Sequence, residues 1–165
     1  MLRRNESDSR YKKRLSPQEA FVRLCRYCAY QERSHKEVSS KLFTLGLYAS
    51  EVETVITRLI TEGFLNEERF AKAFAGGKFR MNKWGKYKIK RAMEEHGLSA
   101  RCIQYGLKEI DAATYSRTLS SLLSKKLKSL DEPNRIKRRS KAATFAIGKG
   151  YEPDLVWEIL KEMDA

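Results

Sequence analysis

The sequence predicts an all-α protein, an elongated array of three tandem three-helix repeats. Apolar residues recur at i, i+3, i+4 and i+7 along most of the chain. Capping residues stand at the head of most of these runs. The runs themselves recur with a period of about 50 residues, long for a two-helix repeat and natural for three helices. With only 9 Gly and 3 Pro in 165 residues, the turns of a β-sandwich or barrel are not supplied.

Residues 1–15 (MLRRNESDSRYKKRL) mix charge with almost no apolar content and predict a flexible basic arm. The first repeat is expected over 16–63. Ser16-Pro17-Gln18-Glu19 offers an N-cap, a favoured first-turn proline and a capping-box glutamate ahead of Phe21, Leu24, Cys25 and Cys28. Ser34 to Glu37 is a second capping box, followed by Val38, Leu42 and Leu45 and stopped at Gly46. Ser50 to Glu53 predicts a third box, with Val52, Val55, Ile56, Leu59 and Ile60 before Gly63.

The second repeat is expected over 64–111. Asn66 with Glu67 and Glu68 opens a helix carrying Phe70, Phe74 and Phe79. A helix from about Lys86 to His96 carries Ile89, Ala92 and Met93 and stops at Gly97, and Ser99 caps a third with Cys102, Ile103, Leu107 and Ile110. Gly76-Gly77 falls inside the first of these helices and costs roughly 1 kcal/mol per glycine relative to alanine. The third repeat is expected over 112–165. A long helix carries Tyr115, Leu119, Leu122 and Leu123, and a second from about Asn134 to Lys149 carries Phe145 and Ala146. Pro153 starts the last, with Leu155, Val156, Ile159 and Leu160.

The three rounds superimpose on Gly46, Gly97 and Gly150. Leu42, Met93 and Ala146 then coincide, as do Val38, Ile89 and Ala142 before the glycine, and Val52, Ile103 and Val156 after it. Three helices this short bury little core alone, so neighbouring repeats are expected to lean on one another.

The chain carries 34 Lys and Arg against 21 Asp and Glu, a net charge of +13, which speaks about partners rather than fold. Nucleic acid and acidic protein surfaces are the expected partners. No stretch approaches the ~20 apolar residues that span a bilayer, and no membrane partner is expected. Met1 to Arg14 lacks a secretory core, and three Cys cannot pair completely, so a cytoplasmic location is expected.

Cys25-Arg26-Tyr27-Cys28 is the one metal-like or redox-like pattern. A zinc site needs two further ligands, and His35, His96 and Cys102 are scattered over different repeats. The simpler expectation places both thiols in the apolar stripe with Phe21 and Leu24. No phosphate loop, zinc-protease helix or nucleophile elbow is present, and the acids cluster in first helical turns where caps account for them, so no enzyme and no cofactor are expected.

The basic segments say more. From Arg69 to Met93 there are nine basic residues and no acid. With Ile89, Ala92 and Met93 turned inward, helical rotation places Lys83, Tyr87, Lys90 and Arg91 outward with Trp84 near them. Arg80, Lys86 and Lys88 complete this candidate surface. Bases interleaved with aromatics suit a phosphate backbone with stacked bases, or an acidic protein groove with aromatic anchors. The alternative is that Trp84 and Tyr87 fold back onto a neighbouring helix. A second candidate patch is Arg135, Lys137, Arg138, Arg139 and Lys141. On the glycine register Arg139 coincides with Lys86 and Lys141 with Lys88, so the two patches are expected to form one stripe.

Gly63-Phe64-Leu65-Asn66-Glu67-Glu68-Arg69-Phe70-Ala71 resembles the "G-[YF]-L-[DN]-[DE]-x-R-[FY]-A" run of the RecX family. Lys83-Trp84-Gly85-Lys86-Tyr87-Lys88-Ile89 resembles that family's basic helix. Ser34, Glu37, Val38, Lys41 and Leu42 are similar to its "S-x-x-E-[LV]-x-x-K-L" helix. His96 stands where the family usually has a basic residue. RecX proteins are bacterial regulators of the RecA recombinase. The resemblance implies a monomeric regulator, acting in recombinational DNA repair, that lies along the RecA–DNA filament and restrains ATP hydrolysis or strand exchange. Nucleotide and magnesium would belong to the recombinase. Weak binding of single- and double-stranded DNA without sequence preference is expected beside it. The alternatives are a helix-turn-helix DNA module acting without RecA and a scaffold for an acidic protein unrelated to DNA.

Overall fold

The computed structural model describes residues 14–164, which hold nine α-helices and no strand. They are α1 (Pro17–Tyr30), α2 (His35–Thr44), α3 (Ala49–Thr61), α4 (Glu67–Asn82), α5 (Lys86–Glu95), α6 (Ala100–Leu107), α7 (Ala112–Ser129), α8 (Arg135–Gly148) and α9 (Pro153–Met163). Close helix-on-helix packing groups them in threes. α1 and α2 pack on α3, α4 and α5 on α6, and α7 on α8 and α9. The chain is thus a tandem series of three-helix bundles, as the sequence pattern predicts.

The caps follow the local chemistry. Ser16, Ser34, Asn66 and Ser99 each accept a hydrogen bond from the backbone N–H three residues on, satisfying a donor with no partner inside the helix. α3 departs from expectation. Its N-cap is Tyr48, and the helix starts at Ala49 rather than after Ser50. The reason lies in the turn before it. Gly46 takes a φ of +89° and Leu47 is buried, so the chain has already reversed by Tyr48, whose N–H donates to Glu51 Oε1 at 2.9 Å. The same geometry recurs two residues after Gly97 and Gly150, where Ser99 and Glu152 are the N-caps. Leu98 and Tyr151 are buried at the place of Leu47.

The residues paired by the glycine register are core residues. Leu42, Met93 and Ala146 are each 0% exposed, and Val52, Ile103 and Val156 are buried with them. The cores do not run together evenly, however. Residues of α1–α3 with Leu65 form one apolar cluster, while α4–α9 share a second, from Phe70 to Leu160. Neighbouring repeats share an apolar core in the last two bundles only, and the first bundle leans on the second through polar side chains. Arg14 and Leu15, expected in the arm, are docked. Leu15 N–H donates to Leu45 O at 3.2 Å, and Arg14 pairs with Glu51 over the Tyr48 ring. The remainder of the expected arm, 1–13, lies outside the described residues.

Candidate binding surface

α4 runs unbroken through Gly76-Gly77, because Ala75, Gly76 and Phe79 face the core and packing outweighs helix propensity. It ends at Lys83, which takes a left-handed φ of 57°. Lys83 therefore does not share a helix with Tyr87, as the expected outward face requires. Lys83 and Trp84 belong to the turn before α5. Lys83 N–H donates to Phe79 O and Trp84 N–H to Lys78 O, closing the helix end. Tyr151, from the next bundle, donates its hydroxyl to Lys83 O at 2.9 Å and so fixes a conformation that a lysine adopts at some cost.

α5 begins without any capping side chain, since its N-cap is Gly85. Its free donors are satisfied by the third bundle instead. Gly85 N–H donates to Lys149 O at 2.8 Å, Tyr87 N–H to Gly150 O at 2.9 Å and Lys86 N–H to the Tyr115 hydroxyl at 3.0 Å. Tyr115 in turn donates to the Glu152 carboxylate at 2.9 Å. Burial pushes the Tyr115 phenol well above its ordinary value and the Tyr151 phenol up to about 12, so both stay neutral donors. Gly85 is required at this seam: a Cβ there would sit 2.2 Å from the Gly150 carbonyl carbon.

This seam orients the first candidate patch. Lys88 and Lys78 lie over the Trp84 ring at 4.5 and 5.0 Å, and Lys86 lies over Tyr115 at 4.8 Å. Trp84 is half-buried against the core, whereas Tyr87 is 56% exposed, so the two aromatics divide between the two expectations. Among the described residues, Arg80, Lys83, Lys86, Lys88, Lys90 and Arg91 form no salt bridge. Beside them a groove of about 380 Å³ opens between α5 and the α8–α9 turn, walled by Trp84, Tyr87, Lys88, Arg91, Ile147 and Pro153.

The second patch is different. Arg135 and Arg139 both pair with Asp164 at 3.0 Å, Lys141 pairs with Glu132 at 2.9 Å, and Arg138 donates to Glu132 O. Among the described residues, Lys137 alone of that patch has no such partner, and it lies next to an exposed Ile136. The expected continuous stripe is therefore interrupted by the chain's own acids. Among the described residues no three His, Cys, Asp or Glu side chains converge as metal ligands. Cys28 is buried, which pushes its thiol up to about 11. No helix among these residues is long and apolar enough to cross a membrane.

Residues 20–59 match the family model for the first three-helix domain of RecX, and residues 66–107 match that for the second. The chain belongs to the RecX family. It is 23% identical over 145 residues to a regulatory protein RecX of Oceanobacillus iheyensis, covering 88% of this chain and 53% of that protein. It is 22% identical over 146 residues to the regulatory protein RecX of Bacillus cereus, covering 88% and 54%. The chain thus spans about half the length of the curated relatives it matches. The crystal structure of RecX from Lactobacillus salivarius has the same fold, with a TM-score of 0.82 at 20% identity over 90% of this chain and 96% of that one.

Within this RecX chain, sequence reasoning missed that buried Tyr115 and Tyr151 hold the start of α5 and the Lys83 turn, and that Ile147 walls the groove beside them. They come from the third bundle, and the glycine register gives a signal for one of them, Tyr151. It sets Gly150 and Tyr151 against Gly97 and Leu98, marking a buried turn where bundles can meet.

Proposed function

We propose that this RecX-family protein binds the RecA–DNA filament through the α4–α5 cations and the adjoining aromatic groove, and that it restrains the recombinase. The reading rests on one observation: six cations of the α4–α5 region that have no carboxylate partner among the described residues, set beside Trp84 and Tyr87. A protein surface that serves only solubility intersperses both signs. An unneutralised basic face with aromatic edges suits phosphates and acidic walls together, which a protein–DNA filament presents. The protein itself contributes no chemistry in this role. It contributes occupancy, and ATP hydrolysis belongs to the recombinase.

The test is inhibition of RecA's single-strand-dependent ATPase by wild type and by the K83A/K88A/K90A/R91A variant, with circular dichroism to confirm folding. The variant is expected to lose inhibition by tenfold or more. A variant of the self-paired patch, K141A, is expected to inhibit nearly as wild type does. Direct DNA binding is expected to be weak and salt-dependent, with a slope near −3 if about four phosphates of a single strand are met. DNA binding that is retained while RecA is unaffected would favour a DNA module that works alone.

A further inference from the structure

The two joints between successive bundles are the same joint by register and differ in chemistry. Gly85, the N-cap of α5, meets Lys149, the C-cap of α8. One repeat earlier the corresponding residues are Ser34, the N-cap of α2, and His96, the C-cap of α5. The later joint is sealed by backbone hydrogen bonds and a shared apolar core. The earlier joint is made by side chains. The Ser34 hydroxyl and His96 Nδ1 are 3.3 Å apart, and Lys36 Nζ donates to Glu95 O at 2.8 Å. Two histidine–carboxylate pairs cross it, His96 to Glu37 at 3.6 Å and His35 to Glu67 at 3.4 Å. The cores on either side are separate clusters.

We propose that α1–α3 is a mobile head that turns on the α4–α9 body at this joint, and that protonation of His35 and His96 locks it. Each imidazole faces a carboxylate on the other side of the joint, so gaining a proton converts each contact into an ion pair between the two bodies. From α2, His96 meets Glu37, with Lys36 bound back to Glu95 O. Glu32 of the α1–α2 link lines the same cavity as His96; its Oε1 pairs with Arg69 of α4, a further ion pair across the joint, and its Oε2 is buried without a partner among the described residues. From α4, His96 meets Phe70 and Phe74, whose rings lie 5.2 and 5.1 Å away, with Lys78 beyond them. His35 faces Glu67, which also accepts from Cys102. The pivot is the 62–66 link. It holds Gly63 at a φ of +80° with open space where a Cβ would be, and its carbonyls are gripped by Arg69. This property does not depend on the recombinase and is tested without it.

Backbone residual dipolar couplings of the full chain at pH 5.5 and pH 8 decide the matter. At pH 5.5 the couplings of residues 16–61 and 67–163 are expected to fit one alignment tensor. At pH 8 the head is expected to need its own, weaker tensor, with the unlocked fraction up by about fivefold, the scale of two partly exposed ion pairs. The H35Q/H96Q variant is expected to show the pH 8 behaviour at both values, and H96Q alone an intermediate one. A single tensor of undiminished size at pH 8 would overturn the mobile head. A pH response that persists in H35Q/H96Q would overturn the assignment of the lock to the histidines.

Discussion

At the scale of single residues, two glycines of one type have opposite roles. Gly85 allows the backbones of the second and third bundles to touch, and any side chain there collides with the Gly150 carbonyl carbon and the Tyr151 nitrogen. Gly77 lies in the middle of α4 with open space around its missing Cβ. Gly85→Ala is therefore expected to destabilise the protein by about 2–3 kcal/mol through forced separation of packed backbone. Gly77→Ala is expected to stabilise it by about 0.5–1 kcal/mol by lowering the entropy of the unfolded chain. Urea unfolding of both variants checks this, and destabilisation by Gly77→Ala would mean that α4 needs its local weakness. The sequence alone flags Gly76-Gly77 as a cost and says nothing about Gly85. The contact that makes Gly85 necessary comes from a residue in another repeat.

At the scale of the elements, most helix starts are legible because the capping chemistry is local. Ser16, Ser34, Asn66 and Ser99 cap as their side chains dictate. The start of α3 is misread because Tyr48 has no capping side chain and Glu51 reaches back to its N–H instead. The α5 start is read correctly at about Lys86, but the partners of its first N–H groups, Lys149, Gly150 and Tyr115, are invisible locally. The basic residues of the candidate surface are equally legible, but their availability is not. Asp164 and Glu132 neutralise Arg135, Arg139 and Lys141 through the return of the C-terminal end and the α7–α8 link onto α8. Several termini and links depend on ionised carboxylates. The Tyr48 N–H and then Arg14 hold Glu51 below its ordinary 4.5; the Thr114 N–H and hydroxyl hold Asp111 below 3.8; Lys141 and then the Asn134 N–H hold Glu132 below 4.5. Each folded value is depressed, so the stabilisation is present above the unfolded value and is lost as pH falls through the folded one. Melting temperature is expected to hold at neutral pH and to drop below about pH 4. E51Q and D111N are each expected to lower it at pH 7 and flatten the acid limb. Melts followed by circular dichroism at several pH values test the sign.

At the scale of the whole molecule, two apolar clusters predict two cooperative units. Leu42→Ala, in the first cluster, is expected to cost about 2–5 kcal/mol, and Met93→Ala, in the second, a similar amount. Native-state hydrogen exchange should show Leu42→Ala weakening protection of α1–α3 while leaving α7–α9 as they were, with Met93→Ala acting in the opposite sense. Uniform loss of protection in both variants would mean that the clusters unfold as one.

The seam at Gly85 also imposes an order on synthesis. The first cluster has all its members once Leu65 has been added to the growing chain, and it can fold while the remainder is still being made. The middle bundle has no such independence. The first turn of α5 finds its hydrogen-bond partners in Tyr115, Lys149 and Gly150, so the helix stays frayed until the last quarter of the chain has left the ribosome. The basic surface around Trp84 is thus assembled last, though it lies in the middle of the sequence, and a nascent chain stalled before Lys149 would carry all of its cations without their final arrangement.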